Sequence, residues 1–314
     1  MRSAHADSLS KQTLDMRKET IVTTATTTEP TTHTLDVPGA TLIYDVRRNE
    51  ESTEPILLLI GSPMGAAGFG SLARHFGDRT IVTYDPRGTE RSQVADPTSS
   101  ITPEIHADDV HRVIDAIGGG PVDLFASSGG AVNALALVAK HPEQVRTVVA
   151  HEPPLPSLLP DREHALAVTR AIHETYLRGG TNAAMAHFIS VVSHRGPFTA
   201  EVASQPAPDP AMFGMPVADD GSRTDALFAH IINTPHYEPD FDALRSAPTQ
   251  IVMAAGVGSE GEMANRGAYA VAERLGAEVT VFPSDHGGFL GGEYGQTGDP
   301  DAFAAELRDV LVTS

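Results

Sequence analysis

From residue 33 onward the chain alternates between short apolar runs of strand length and longer amphipathic runs that stop at glycine. No other feature limits the fold as strongly. A run such as PILLLIG (Pro55 to Gly61) has no polar face, so a strand built from it must be covered on both sides. A helix between two such strands brings the chain back to start the next one in the same direction, through a right-handed crossover. The expected architecture is therefore α/β: a mostly parallel, eight-stranded sheet with helices on both faces.

The strand segments are HTLDV, ATLIYDV, PILLLIG, TIVTYD, PVDLFAS, VRTVVAHE, TQIVMAAG and EVTVFPSD. Helical segments include GFGSLARHFGD, EIHADDVHRVIDAIGGG, AVNALALVAKH, MANRGAYAVAERLG and DPDAFAAELRDVLV. Between residues 155 and 247 the rhythm fails: HALAVTRAIHETYL and NAAMAHFISVVSH read as helices, followed by Pro-rich connectors. We expect a helical cap over residues 155–247, inserted in a core domain of residues 33–154 and 248–314. Residues 1–32 are polar and Thr-rich and read as a disordered tail without the apolar core of a signal peptide.

With Lys plus Arg at 22 against Asp plus Glu at 41, the net charge of −19 repels phosphate backbones and anionic membrane surfaces. No apolar run approaches the roughly 20 residues of a membrane span. The expectation is a soluble, cytoplasmic protein acting on a small molecule, with neither nucleic acid nor membrane as partner. The oligomeric state is open. There is no cysteine, which removes disulfides, thiolate metal sites and a cysteine nucleophile. No HExxH or HxxxH pair and no Gly-Lys-Ser/Thr phosphate loop occurs, so neither metal nor organic cofactor is expected.

In LFASSGGAVNAL, Ser128 lies between an apolar strand and a helix, with Ala126 two before it and Gly130 two after. Small residues at those positions let a strand reverse sharply into a helix, holding a serine hydroxyl above the sheet as a nucleophile. Ser127 fits less well, because Phe125 is too large for the same role. The plain alternative is a loop with a serine N-cap.

Here the chain resembles the α/β-hydrolase superfamily, from about Thr34 to the C-terminus. Ile60-Gly61-Ser62-Pro63 stands where many relatives have His-Gly-x-Pro, and Asp85-Pro86-Arg87-Gly88 is similar to their Asp-x-Arg-Gly turn. Asp285-His286-Gly287-Gly288-Phe289 follows the last strand, where the family keeps its histidine. The resemblance implies Ser128 as nucleophile and His286 as base. It also implies an oxyanion hole from the backbone N–H groups of Ser62 and Gly129, with Met64 the alternative to Ser62.

The acid is ambiguous. The usual family position, near Gly258, carries no aspartate, and Glu260 is the nearest carboxylate. Glu152 lies at the end of VRTVVAHE, where some haloalkane dehalogenases and zearalenone lactonases place their acid. His151-Glu152-Pro153-Pro154 is similar to the His-Glu-x-Pro of those lactonases. Glu152 is favoured, with Glu260 as the alternative. Tyr237 and Phe241, at the end of the cap, are candidates for the pocket wall or for core packing. The implied reaction is hydrolysis of a carboxylic ester or lactone. Cofactor-free perhydrolysis, C–C hydrolysis and a non-catalytic binder of the same fold are the alternatives.

Overall fold

The computed structural model describes residues 29–312. Most of the expected tail falls outside that range. Its last two residues, Thr31 and Thr32, already pair with Val46 and Asp45, so the first strand starts two residues earlier than expected.

Among the described residues nine strands form one sheet: β1 (Thr31–Val37), β2 (Ala40–Arg47), β3 (Leu57–Ile60), β4 (Ile81–Asp85), β5 (Gln93–Val94), β6 (Val122–Ser127), β7 (Val145–His151), β8 (Gln250–Gly256) and β9 (Val279–Phe282). Their order is β1-β2-β4-β3-β6-β7-β8-β9, with the two-residue β5 pairing on β2. The β1–β2 and β2–β4 pairs are antiparallel, and every pair from β4 through β3 to β9 is parallel. The eight expected strands are all present, and β5 is the addition.

The helices are α1 (Gly70–Ala73), α2 (Pro103–Ile117), α3 (Gly129–Lys140), α4 (Arg162–Val192), α5 (Ala200–Ala203), α6 (Ala226–His230), α7 (Phe241–Ser246), α8 (Met263–Leu275) and α9 (Pro300–Val312). The segment expected as one helix over GFGSLARHFGD is instead α1 with 3₁₀ turns on either side.

Strand β3 shows why the apolar runs carry no polar face. Leu58 and Ile60 pack in one core with α2, α3 and α8, while Leu57 and Leu59 pack in another with α1 and α9. Successive side chains point to opposite faces, and both faces are dry. Each buried leucine contributes about 2 kcal/mol relative to exposure.

The segment over residues 155–247 has its own core, built from Leu159, Val168, Ile172, Tyr176, Phe198 and Phe228. Helix α4 breaks at Gly180, where φ is 78°, which is why its sequence reads as two helices. Met263 of α8 joins this cluster, and Asn233 Nδ2 donates to the Ile101 carbonyl at 2.6 Å, so this segment is anchored to α8 and to the loop before α2. Among the described residues no helix is long and apolar enough to cross a membrane.

Candidate active site

The strand ends of β6, β7, β8 and β9 lie side by side, and the residues that follow them converge. Ser128 follows β6 directly and stands at the N-cap of α3 with φ 59° and ψ −129°. A positive φ on a non-glycine residue is strained and persists only where its surroundings enforce it. The enforcement is visible in the flanking glycines. A Cβ on Gly130 would stand 2.8 Å from Gly61 Cα and the Ile60 carbonyl oxygen, and one on Gly129 would stand 2.7 Å from the Ser62 carbonyl oxygen. The loop after β3 therefore presses on the first turn of α3, which brings Ser62 against Gly129.

Asp85, from the Asp-x-Arg-Gly turn, holds that loop in place. Its Oδ1 accepts the Ala66 N–H at 2.8 Å, and Arg91 Nε donates to its Oδ2 at 2.6 Å. Arg87 of the same turn grips Asp109 on α2 through two bonds, of 2.6 and 2.5 Å. Met64 packs its side chain against Gly61 and Gly68.

Glu152 follows β7 directly and, like Ser128, has a positive φ, 51°. The backbone N–H of Ser128 donates to the His151 carbonyl at 2.9 Å, and that of Glu152 to the Ala254 carbonyl at 3.0 Å. Both strained residues are thus fastened to the neighbouring strand just beyond the regular ladder. Glu152 is fully buried. Its Oε2 accepts a hydrogen bond from His286 Nδ1 at 2.5 Å. Its Oε1 accepts from the Gly256 N–H at 2.9 Å, from Asn265 Nδ2 at 3.2 Å and from the Ser259 hydroxyl.

Burial alone would raise the Glu152 carboxyl pKa. The hydrogen bond from His286, the charges of His151 and His286 and the Ser259 hydroxyl overcome burial and bring it down to about 2. Burial alone would lower the pKa of His286, yet its bond to Glu152 and the carboxylates of Glu152, Glu262 and Asp285 raise it above its ordinary value. The carboxylate fixes the proton of neutral His286 on Nδ1 and leaves Nε2 as the acceptor.

Sequence reasoning missed three contributors. Ser259 occupies the place where an acid was sought, and its hydroxyl donates to the Glu152 carboxylate instead. Asn265, from the first turn of α8, donates to the same oxygen and also to the Gly256 carbonyl at 3.1 Å. His151, the third, is fully buried, in ring contact with Phe125, Phe282, Phe289 and Phe303, and burial lowers its pKa to about 4. Its ring stacks with that of His286 at 6.0 Å, and its Nδ1 is 3.5 Å from the Ser127 hydroxyl. His151 and Ser127 are partners in the β6–β7 register, so His286 and the β6 elbow flank the same buried imidazole. The only hint in the sequence was the His-Glu pair itself.

Donor atoms of His151, Glu152 and His286 all lie within 4.8 Å of one another, the kind of group that could hold a cation. Ligands of one tetrahedral zinc, at about 2.0–2.1 Å from the ion, stand roughly 3.3 Å apart. The 2.5 Å contact between His286 and Glu152 is shorter, the distance of a charge-assisted hydrogen bond.

Glu260, the alternative acid, is exposed on the far side of a 3₁₀ turn at Val257–Ser259. The glycines of this loop do not make it loose. A Cβ on Gly256 would stand 2.9 Å from the backbone of Ser284 and Asp285, and the Gly258 N–H donates to the Ser284 carbonyl at 2.6 Å. They are small because the loop bearing His286 lies directly on them. Phe241 is buried at 6% exposure against the α3 side of the sheet with the Arg274 guanidinium 4.4 Å over its ring, and half-buried Tyr237 packs on the same core. Of the two readings offered for them, the packing is that of the core.

A strained serine at a strand-to-helix elbow, a buried carboxylate bonded to a half-buried histidine and a mostly parallel sheet with a helical insertion define a class, the α/β hydrolases. The chain belongs to this family: residues 54–292 match the model of the alpha/beta hydrolase fold. It is 33% identical over 262 residues to an uncharacterized hydrolase, YraK, of Bacillus subtilis (strain 168), covering 82% of this chain and 89% of that protein. Its fold is similar to that of an enol-lactonase from Burkholderia xenovorans LB400 (TM-score 0.63, 16% identity, 90% of this chain and 100% of that one). A thermophilic esterase from Thermogutta terrifontis is similar at TM-score 0.62 and 18% identity, over 91% of this chain and 99% of that one.

Proposed function

We propose that this hydrolase cleaves a carboxylic ester or lactone through an acyl-enzyme on Ser128. The observation that carries the reading is the 2.5 Å bond between His286 Nδ1 and buried, ionised Glu152, whose strand β7 pairs with the strand that leads into the elbow serine. A serine hydroxyl attacks a carbonyl only if a base takes its proton. His286 Nε2 accepts that proton as Oγ of Ser128 bonds to the carbonyl carbon. Glu152 stabilises the imidazolium so formed without taking its proton. The N–H groups of Ser62 and Gly129 receive the developing oxyanion, and each such donor contributes about 3 kcal/mol to lowering the barrier. Collapse expels the alkoxide, which takes the proton from His286. In a lactone the alkoxide stays tethered to the acyl group. Water, activated by His286, then releases the acid.

The segment over residues 155–247 covers the C-terminal ends of the parallel strands in this reading and selects the substrate, as loops at that edge do in α/β sheets. Ser62 is favoured over Met64 for the second oxyanion donor because its backbone is the one in contact with Gly129.

The test is labelling by a fluorophosphonate, with the adduct located by mass spectrometry, alongside a panel of p-nitrophenyl esters and macrolactones. The adduct should fall on Ser128 and disappear in Ser128→Ala. Unchanged labelling or turnover in Ser128→Ala would refute the proposal.

A further inference from the structure

We propose that Glu262 is a positioning residue, a second carboxylate acting through space on His286, and that Arg195 sets how much of its charge His286 feels. The proposal rests on His286 being the base of the reaction above. Glu262 is the N-cap of α8 and lies between Ser259 and Asn265, both of which touch Glu152 Oε1. Its backbone N–H donates to the Ser259 carbonyl at 3.0 Å, so the turn that seats Glu152 also seats Glu262. The Glu262 side chain is only 20% exposed, a poor place for a carboxylate without a partner.

That partner comes from the segment leaving α4. Arg195 Nη2 lies 3.3 Å from Glu262 Oε1 and donates to the Gly258 carbonyl at 2.5 Å. The backbones of Arg195 and Glu262 form an antiparallel bridge, and the Gly196 N–H donates to the Gly261 carbonyl at 2.8 Å. One arginine therefore clamps the cap segment to the loop that carries the support of the acid. It neutralises part of a charge that bears on the histidine.

The ionisable groups around His286 are Glu152 in direct contact, its chain neighbour Asp285, His151 at 6.0 Å between rings, and Glu262, whose partner Arg195 is bonded to Gly258, the residue on which Asp285 packs. Asp285 is exposed and accepts the Gly287 N–H at 3.0 Å. His151 is held neutral by burial in its cage of phenylalanines. Burial pushes the Glu262 carboxyl upward, Arg195 opposes this, and the neighbouring Glu152 adds to it. The signs follow from this arrangement. Removing the Glu262 charge destabilises the imidazolium and lowers the pH at which His286 protonates. Where Glu262 stays ionised, removing Arg195 exposes His286 to more of its charge and raises that pH.

The experiment follows the imidazole Cε1–H of His286 by NMR titration of the full chain at low salt, assigned by its loss in His286→Asn. Glu262→Gln should move the midpoint to lower pH and Arg195→Gln to higher pH. In the Glu262→Gln background, Arg195→Gln should move it little, and Glu262→Asp should keep it near wild type. The acid limb of kcat/KM should shift in the same directions. Midpoints that stay put, or both variants shifting the same way, would overturn the proposal. Should Glu262→Gln not fold, Arg195→Gln at its exposed position decides alone, and an unmoved midpoint refutes it. The titration needs no turnover: a chain inactive on every ester would defeat the hydrolytic reading and leave this result standing.

Discussion

Glu152→Gln keeps the shape of the side chain and removes its charge. In the native site two oxygens accept from four groups: His286 Nδ1, the Gly256 N–H, the Ser259 hydroxyl and Asn265 Nδ2. A glutamine has one oxygen, so its NH₂ must face a donor on one side or the other. If it faces His286, Nδ1 becomes the acceptor and the proton moves to Nε2, the nitrogen that should receive the proton from Ser128. The Glu152 carboxyl pKa is about 2 against an ordinary 4.5, so the site favours the charged form by roughly 3 kcal/mol. Only the share of that stabilisation that the imidazolium gains as it forms bears on the rate, so this electrostatic loss is at most about 10²-fold. A wrong tautomer in an otherwise intact triad reaches about 10⁴-fold. We expect kcat on any p-nitrophenyl ester the enzyme cleaves to fall by about two to four orders of magnitude, within the span of these two effects. Glu260→Gln should stay within about threefold, because an exposed carboxylate acts on His286 only through solvent. A melting curve run beside each assay separates chemistry from unfolding. A folded Glu152→Gln enzyme at near-normal rate, with Glu260→Gln inactive, would reverse the reasoning.

Ser128→Ala should abolish ester cleavage and fluorophosphonate labelling, while Ser127→Ala, which removes only a buried 3.5 Å contact to His151, should retain measurable turnover. Gly130→Ala should lower the melting temperature and the activity together, since its Cβ would meet backbone atoms of Ile60 and Gly61 at 2.8 Å, where nothing can yield cheaply. On acidification His151, at about 4 in the fold against 6.5 unfolded, makes stability fall below pH 6.5 by roughly 1.4 kcal/mol per pH unit until the fold itself protonates near pH 4. Glu152 acts in the same direction between 4.5 and about 2, and His106, which burial lowers to about 3, adds to the fall that His151 causes below 6.5. Urea unfolding at pH 5 should therefore show a lower midpoint than at pH 6.5, and His151→Phe should remove part of that difference. Exchanging exposed cap side chains such as Leu177 and Met212 should leave fluorophosphonate labelling of Ser128 unchanged, and a uniform loss would show that the cap does more than select substrate.

Local chemistry made much of this protein legible in advance. Unbroken apolar runs such as LLLI in β3 can satisfy neither face with water, so the doubly covered parallel sheet follows from the residues themselves. The Ala126–Ser128–Gly130 spacing shows an elbow because the need for small flanking side chains is a matter of sequence-local sterics. Which carboxylate meets His286 is a different kind of question. Glu152 and Glu260 are both carboxylates beyond strand ends, and their segments favour Glu152 without deciding between them. The parallel register of β7 and β8 decides. It carries Glu152 beneath the Gly256–Ser259 turn, where three donors reach one oxygen, and turns Glu260 out to solvent. The glycines of that turn, which read as looseness in the sequence, are the condition for packing the His286 loop onto it. Ser259, Asn265 and His151 lay beyond sequence reasoning for the same reason. A hydroxyl, an amide or a buried imidazole has no fixed meaning until a fold brings a charge within 3 Å or excludes water from around it.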